Sequence, residues 1–155
     1  HWRKMALWED STRTPLIIYQ PNKIKNNSIV DTPISFIDIY PTLIDMCGLP
    51  PKKNNIDGKS FFKLLKKPTQ SWDKPVLMTF GEGNHAVRTI RWRYIQYYDG
   101  TSELYDHKND SHEWINLSGN KKYVKIIEDL KQHIPKKEKP QLISHNNMAS
   151  ELIRR

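Results

Sequence analysis

Apolar and polar residues alternate along this chain in several distinct periods, and each period predicts an element. Residues 15–19, Pro-Leu-Ile-Ile-Tyr, are almost continuously apolar. Such a run predicts a short strand buried on both faces in a parallel sheet. Residues 22–28 are a polar loop rich in Lys and Asn, and Ile29-Val30 begins another extended piece, with Pro33 keeping Thr32 out of helical geometry. A helix is predicted over Ser35–Cys47, because Phe36, Ile39, Tyr40, Leu43, Ile44 and Cys47 fall on one stripe at helical spacing. Ser35 and Asp38 have the spacing of a capping box. Pro41 makes the first turn irregular, and Gly48 with Pro50-Pro51 stops the helix.

After the turn Asp57-Gly58, a short amphipathic helix over Ser60–Lys66 presents Phe61, Phe62, Leu64 and Leu65. Beyond Pro75 the period changes to that of strands. The runs Val76–Phe80, Ala86–Trp92, Tyr94–Tyr98 and Glu103–Asp106 are close in sequence, with Asp99-Gly100 as a turn. They predict an antiparallel meander. A last helix over Lys122–His133 carries Val124, Ile127, Leu130 and Ile134 on its apolar face and ends at Pro135. Lys136–Pro140 reads as the start of a solvated tail. Three regions follow: 1–70 as part of an α/β layer, 71–135 as a small α+β subdomain, and 136–155 as a tail.

Composition narrows the classes. Of 155 residues, 37% are hydrophobic, and the formal net charge is +8. The mean hydropathy of −0.75 points to a thin core, or to a piece that completes its core against something else. The positive balance favours polyanions: sulfated polysaccharide, nucleic acid or acidic membrane. No apolar run approaches the ~20 residues needed to span a bilayer. A single cysteine, Cys47, excludes an internal disulfide.

Chemistry concentrates in a few places. Lys4 lies between Trp2 and Trp8 and beside Arg3, ahead of the first apolar run. An ammonium in such surroundings is suited to grip an oxyanion and to stabilise charge on a leaving oxygen. His85, with Asn84, sits in the glycine-bearing loop Gly81-Glu82-Gly83-Asn84-His85 between two predicted strands, a common place for a binding residue. Residues 86–95 alternate apolar with basic or aromatic side chains. Taken alone, Arg88, Arg91, Arg93 and Trp92 suggest an exposed polyanion-binding face, for sulfated glycan or nucleic acid. Asp106, Asp110 and Glu113, interleaved with His107 and His112, form the nearest approach to a metal cluster, and a solvated loop is the expected reading.

Four ordered blocks resemble the type I, formylglycine-dependent sulfatases. They are Trp2-Arg3-Lys4, Thr12-Arg13-Thr14-Pro15-Leu16, Asp38–Leu43 with Gly48-Leu49-Pro50 and Asp57-Gly58, and Glu103-Leu104-Tyr105-Asp106 through Leu117. The iduronate-2-sulfatase-like and bacterial polysaccharide-sulfatase branches fit best. The resemblance implies an α/β fold: part of an alkaline-phosphatase-like core plus a small C-terminal antiparallel sheet with a packed helix. It also implies hydrolysis of a sulfate ester, with a sulfated carbohydrate as substrate and Lys4 as the sulfate-binding catalytic residue. It would bring the loop of His85 and Asn84 toward the mouth of the active site, to touch a sugar hydroxyl or sulfate, and make Arg88 and Arg91 partners of carboxylates.

The family's Ca²⁺ and formylglycine are not expected on these residues. Cys47 lacks the Cys-x-Pro-x-Arg context and falls on a helix stripe, so it reads as a core cysteine. The chain opens without a Met, on a polar, aromatic-rich segment running straight into a strand. The nucleophile and metal ligands are therefore expected in a missing N-terminal part, and the 155 residues alone are expected to be inactive. Secretion or periplasmic export is the family expectation. No nucleic-acid partner and no membrane span are expected. A phosphatase or phosphodiesterase of the same superfold is the remaining enzymatic alternative.

Overall fold

The computed structural model describes residues 5–24, 26–50 and 55–138. The chain divides into two compact units. One is built from Thr14–Val76 with Arg88–Ile90, and the other from the segments His1–Arg13, Leu77–Val87 and Arg91–Arg155.

In the first of these, a 3₁₀ turn at Phe36–Asp38 leads into α2 (Ile39–Cys47), and α3 (Phe62–Lys66) follows. The capping box forms: Ser35 N–H donates to the Asp38 carboxylate at 3.1 Å. Pro41 is tolerated because it falls in the first turn, where N–H groups have no helical acceptor in any case. Gly48 takes φ +65°, and Leu49 N–H closes back on the Ile44 carbonyl at 3.0 Å, which ends the helix.

The predicted inward face of α2 is wrong. Its buried positions are Asp38, Thr42 and Met46, whereas Phe36 is 71% exposed and Tyr40, Leu43 and Cys47 also face outward. Cys47 is therefore not a core cysteine. Polar bonding explains the reversal. Asp38 accepts from Lys59 N–H at 2.8 Å and Lys74 Nζ at 2.7 Å, while Thr42 Oγ1 accepts from Phe61 N–H at 3.0 Å. Those bonds pull residues 57–61 and 74 onto the polar side of the helix. Gly58 fits there only without a side chain, since a Cβ would stand 2.0 Å from the Ile37 carbonyl oxygen.

The strands predicted at Pro15–Tyr19 and Ile29-Val30 do not form among the described residues. Ile17 is 91% exposed and Tyr19 82%. A strand exists only through its neighbours' hydrogen bonds, and none is offered to this run by the described residues.

The second unit holds an antiparallel sheet in the order β1 (Val76–Thr79), β2 (His85–Arg88), β3 (Trp92–Gln96), β4 (Ser102–Asp106). This is the predicted meander. Trp92 pairs with Asp106 and Gln96 with Ser102, and the Asp99-Gly100 turn between them is tied by Asp99 Oδ1, which accepts from Thr101 N–H at 2.9 Å. Both faces are covered. On one, Ala86, Ile95 and Tyr105 meet Leu7 and Trp8 from the opening segment, whose short helix α1 spans Glu9–Thr12. On the other, Val87, Tyr94 and Leu104 pack against Leu130, Ile126 and Ile127 of α4 (Val124–Lys131), which a 3₁₀ turn at Lys121–Tyr123 introduces. Val124, expected on the apolar face of α4, is half exposed, and Ile126 takes its place.

Candidate functional site

Lys4 lies outside the described residues. His85 and Asn84 lie within them, at the tight connection from β1 to β2. Phe80 N–H donates to the Asn84 carbonyl at 3.0 Å, which closes the loop. Gly83 takes φ +74°, and a Cβ there would come within 2.8 Å of the Tyr98 Cβ, so the loop needs glycine on both counts. The Asn84 side chain serves the loop itself: its Oδ1 accepts from Tyr98 N–H at 3.2 Å, and its Nδ2 donates to the Glu82 carbonyl at 3.1 Å.

His85 opens β2 and is 1% exposed. Both ring nitrogens are engaged, Nδ1 with Thr79 Oγ1 at 2.9 Å and Nε2 with Glu138 Oε1 at 2.9 Å. The Glu138 carboxylate also accepts from Gly83 N–H, at 3.0 Å to Oε2 and 3.2 Å to Oε1. The Gly83 amide, and then His85, hold the Glu138 carboxyl below its ordinary range. Thr79, Gly81, Glu82, His85, Pro135, Lys137 and Glu138 line an open cleft of about 430 Å³. Residues 136–138 are exposed, as expected of a tail, but the Glu138 carboxylate has partners at the sheet edge. No period or motif in the sequence pointed to it.

A second cluster lies on the opposite face of the sheet. Arg93 is 1% exposed. Its Nη1 donates to the Leu7 carbonyl at 2.7 Å, its Nη2 to the Glu9 carboxylate and to Thr12 Oγ1, and its Nε lies 2.5 Å from Glu113 Oε1. That last contact is an ion pair whose N–H is not aligned for a hydrogen bond. Glu113 also meets His107 Nε2 at 2.8 Å and accepts from Glu9 N–H at 2.7 Å. Glu113 takes φ +58°, a conformation uncommon for a residue with a side chain. The expected loop cluster of Asp106, Asp110, Glu113, His107 and His112 is therefore dispersed, and Glu113 is buried rather than solvated. Asp110 accepts from Ile115 N–H at 2.8 Å, and His112 stacks on Trp114.

Glu9, His107 and Glu113 bring their ligand atoms within 4.8 Å of one another. The chemistry of that set does not suit Ca²⁺, which wants six to eight oxygens. The Arg93 guanidinium already pairs with both carboxylates. Exposed Cys47, lacking its motif, does not suit the formylglycine position. No catalytic step is assigned to either group on the described residues.

Arg91 forms a two-pronged bond to Asp106, Nε to Oδ1 and Nη2 to Oδ2, both at 2.8 Å. That bond, then the Lys108 and Asn109 donors, holds the Asp106 carboxyl down at about 2 against the opposing effect of burial. Arg88 donates to the Thr89 carbonyl. With Arg93 buried and Arg91 neutralised, the exposed basic sheet face read from the alternation does not exist. The period-2 phase was the missed signal: Arg93 shares its face with Ile95 and Tyr97, which point into the core.

Comparisons with known proteins agree with this architecture. The family model described as N-sulphoglucosamine sulphohydrolase, C-terminal, matches residues 1–140. A sulfatase of Formosa agariphila is 42% identical over 133 residues, covering 86% of this chain and 26% of that protein. Arylsulfatase K of Bos taurus is 32% identical over 146 residues, covering 84% of this chain and 26% of that protein. The chain thus spans about a quarter of the length of these curated relatives. Among solved structures, BT4656 in complex with its substrate D-glucosamine-2-N,6-O-disulfate is similar with a TM-score of 0.53 at 26% identity, over 61% of this chain and 22% of its own. The yidJ protein of Bacteroides fragilis, at 23% identity, shares the fold with a TM-score of 0.62 over 72% of this chain and 26% of its own. With the family match running through residues 1–140 of 155, the four-stranded sheet and its helix are those of a known C-terminal region, and the chain belongs to the sulfatase family.

Proposed function

We propose that this chain is the C-terminal portion of an enzyme that hydrolyses sulfate esters of a sulfated carbohydrate. The observation that carries the reading is the match of residues 1–140 to the C-terminal region of N-sulphoglucosamine sulphohydrolase. Two further facts support it. A similar structure holds a disulfated glucosamine as its substrate. The apolar side chains of Ile17, Tyr19, Phe36 and Leu43 lie exposed in the unit that holds α2, as expected of surface that further polypeptide covers.

In this reading Lys4 grips a sulfate oxygen and offsets charge on the departing oxygen. The segment that follows it is fastened to the sheet through Leu7, Glu9 and Thr12, each bonded to Arg93. Ca²⁺ and formylglycine would be held by residues outside this chain, where they would supply charge neutralisation at the sulfate and the nucleophile for its hydrolysis. Export from the cytoplasm fits a polymeric substrate. Among the described residues no helix is long and apolar enough to cross a membrane.

The test is release of inorganic sulfate from N-sulfated and 6-O-sulfated glucosamine by the full-length protein and by the 155-residue chain. Activity is expected only from the full-length protein. Lys4→Ala in that protein is expected to lower kcat by about 10²–10³-fold, the size seen when one oxyanion donor is removed. Wild-type turnover in the Lys4→Ala protein, or turnover by the isolated chain, would refute the assignment.

A further inference from the structure

The start of the last helix breaks an electrostatic rule. The positive end of a helix ordinarily carries acidic side chains, and cations there are unfavourable. The 3₁₀ turn at Lys121–Tyr123 and the first turn of α4 hold no Asp or Glu, and Lys121, Lys122 and Lys125 stand there instead. Asn120 secures the turn by accepting from Lys122 N–H at 3.0 Å, so no carboxylate is needed. All three lysines are exposed, and none forms an ion pair among the described residues. Local rules are broken most often where function requires it.

A second observation extends this charge. Arg91 lies over the Trp92 ring at 4.7 Å, Trp92 meets Tyr123 with ring centroids 5.6 Å apart, and Lys122 Nζ lies over Tyr123 at 5.8 Å. Exposed Lys108 follows His107, whose N–H donates to the Arg91 carbonyl at 2.7 Å. The cations thus run from Lys108 through Arg91 and the two rings to the lysines of the helix start. Asp106 offsets Arg91, and Glu128 and Asp129 lie a turn further along α4, so the strip keeps a positive balance. It belongs to the face of the sheet that α4 covers, opposite Leu7 and Trp8.

We propose that this strip is a docking surface for the chain of a sulfated polysaccharide, whose sulfate groups are held by the unpaired lysines. That the partner is a glycan rests on the reading above; the anion-binding surface itself does not. The rings decide against nucleic acid. Single-stranded bases need an open ring face to stack on. Trp92 and Tyr123 pack inward against the core beneath α4 and carry a cation over the ring, so neither offers a free platform. What remains is a row of flexible ammonium groups, each a point charge that can follow anions of irregular spacing. The rings also hold Arg91 and Lys122 against the surface, which reduces the side-chain freedom lost when an anion binds.

The experiment measures binding of heparin to the full-length protein in a series of salt concentrations. The triple variant Lys121→Ala, Lys122→Ala, Lys125→Ala is compared with wild type. A second triple variant, Lys63→Ala, Lys66→Ala, Lys67→Ala, removes the same charge from the exposed surface at α3. Near physiological salt the first variant is expected to bind about tenfold more weakly, as the loss of three exposed ion pairs implies. Its log affinity should also fall less steeply with log salt, the slope dropping by roughly two to three. The α3 variant should stay within about twofold of wild type, because screening limits the reach of remote charges. Since the three lysines oppose the helix dipole, their removal should leave the melting temperature equal or higher. Equal losses of affinity in both variants would reduce the effect to net charge and overturn the proposal. Unaltered affinity in the first variant, a lower melting temperature for it, or tighter binding of duplex DNA than of heparin would overturn it too. Binding is read without turnover, so the two readings fail separately: a protein that holds heparin through these lysines and releases no sulfate refutes only the sulfatase reading.

Discussion

Replacing Arg93 by alanine tests the central packing argument. The guanidinium is 1% exposed and serves Leu7, Glu9, Thr12 and Glu113 together. Removing it leaves two carboxylates, Glu9 and Glu113, facing one another without their shared cation, and opens a cavity beside Leu7. Breaking a buried pair by deleting one partner costs about 3–5 kcal/mol, chiefly because the remaining charge stays buried. In a protein of this size each kcal/mol moves the melting midpoint by roughly 2–4 °C, so a fall of roughly 6–20 °C is expected. Urea unfolding followed by tryptophan fluorescence measures the free energy, with Trp8 beside the cluster as a reporter. Arg93→Lys keeps the charge but not the planar fork and should fall between wild type and alanine. Arg93→Met combined with Glu9→Gln and Glu113→Gln should recover part of the loss, because no unpaired charge remains. If Arg93→Ala unfolds within about 1 kcal/mol of wild type, which is the range of exposed ion pairs, the clamp is not what holds the opening segment to the sheet.

Three other outcomes follow from the same reasoning. Asp38→Asn should destabilise the unit that holds α2 by about 3 kcal/mol in urea unfolding, since it leaves Lys74 without its buried partner at 2.7 Å; a neutral result would mean that the Ser35 and Lys59 amides alone hold residues 57–61 in place. Gly58→Ala should cost more than about 2 kcal/mol by the same assay, because the obstacle at 2.0 Å is a backbone carbonyl that cannot rotate away. Asp106 is held down at about 2 from an ordinary 3.8, so its contribution is fully present above the higher value and disappears as pH falls through the lower one; in Arg91→Gln, carboxyl NMR should find the Asp106 titration moved up toward the ordinary range, and an unmoved titration would exclude Arg91 as the main cause.

The meander was legible because four short runs, each with strand composition and separated by turn residues, leave little freedom of topology. Its starts shifted by one or two residues, β2 opening at His85 rather than Ala86 and β3 at Trp92 rather than Tyr94, but β2 ends at Arg88, four residues short of the predicted Trp92, which opens β3 instead. The helix at Ile39–Cys47 was equally legible from its period, its capping box and Gly48. Its orientation was not. Hydrophobic spacing assigns the inward face to apolar residues, but here Asp38 and Thr42 turn inward to satisfy loop amides, and no period records a hydrogen bond across 19 or 21 residues. The run Pro15–Tyr19 has strand composition and no strand, because composition describes one partner of an interaction that needs two. Arg93 was misread because both faces of the sheet are covered, and alternation with charged residues ordinarily marks a face in water. Glu138 gave no signal, since a carboxylate among lysines has the composition of an exposed tail whatever it touches.

The bond between Glu9 and Glu113 joins residues 104 positions apart. At ribosomal speeds of roughly 5–20 residues per second, residue 9 is synthesised roughly 5–20 s before its counterpart. During that interval Leu7 and Trp8 lack the sheet face they pack against in the folded structure. Contacts so remote in sequence also close late and slowly. The strap across the sheet is therefore the step at which maturation of this region would stall.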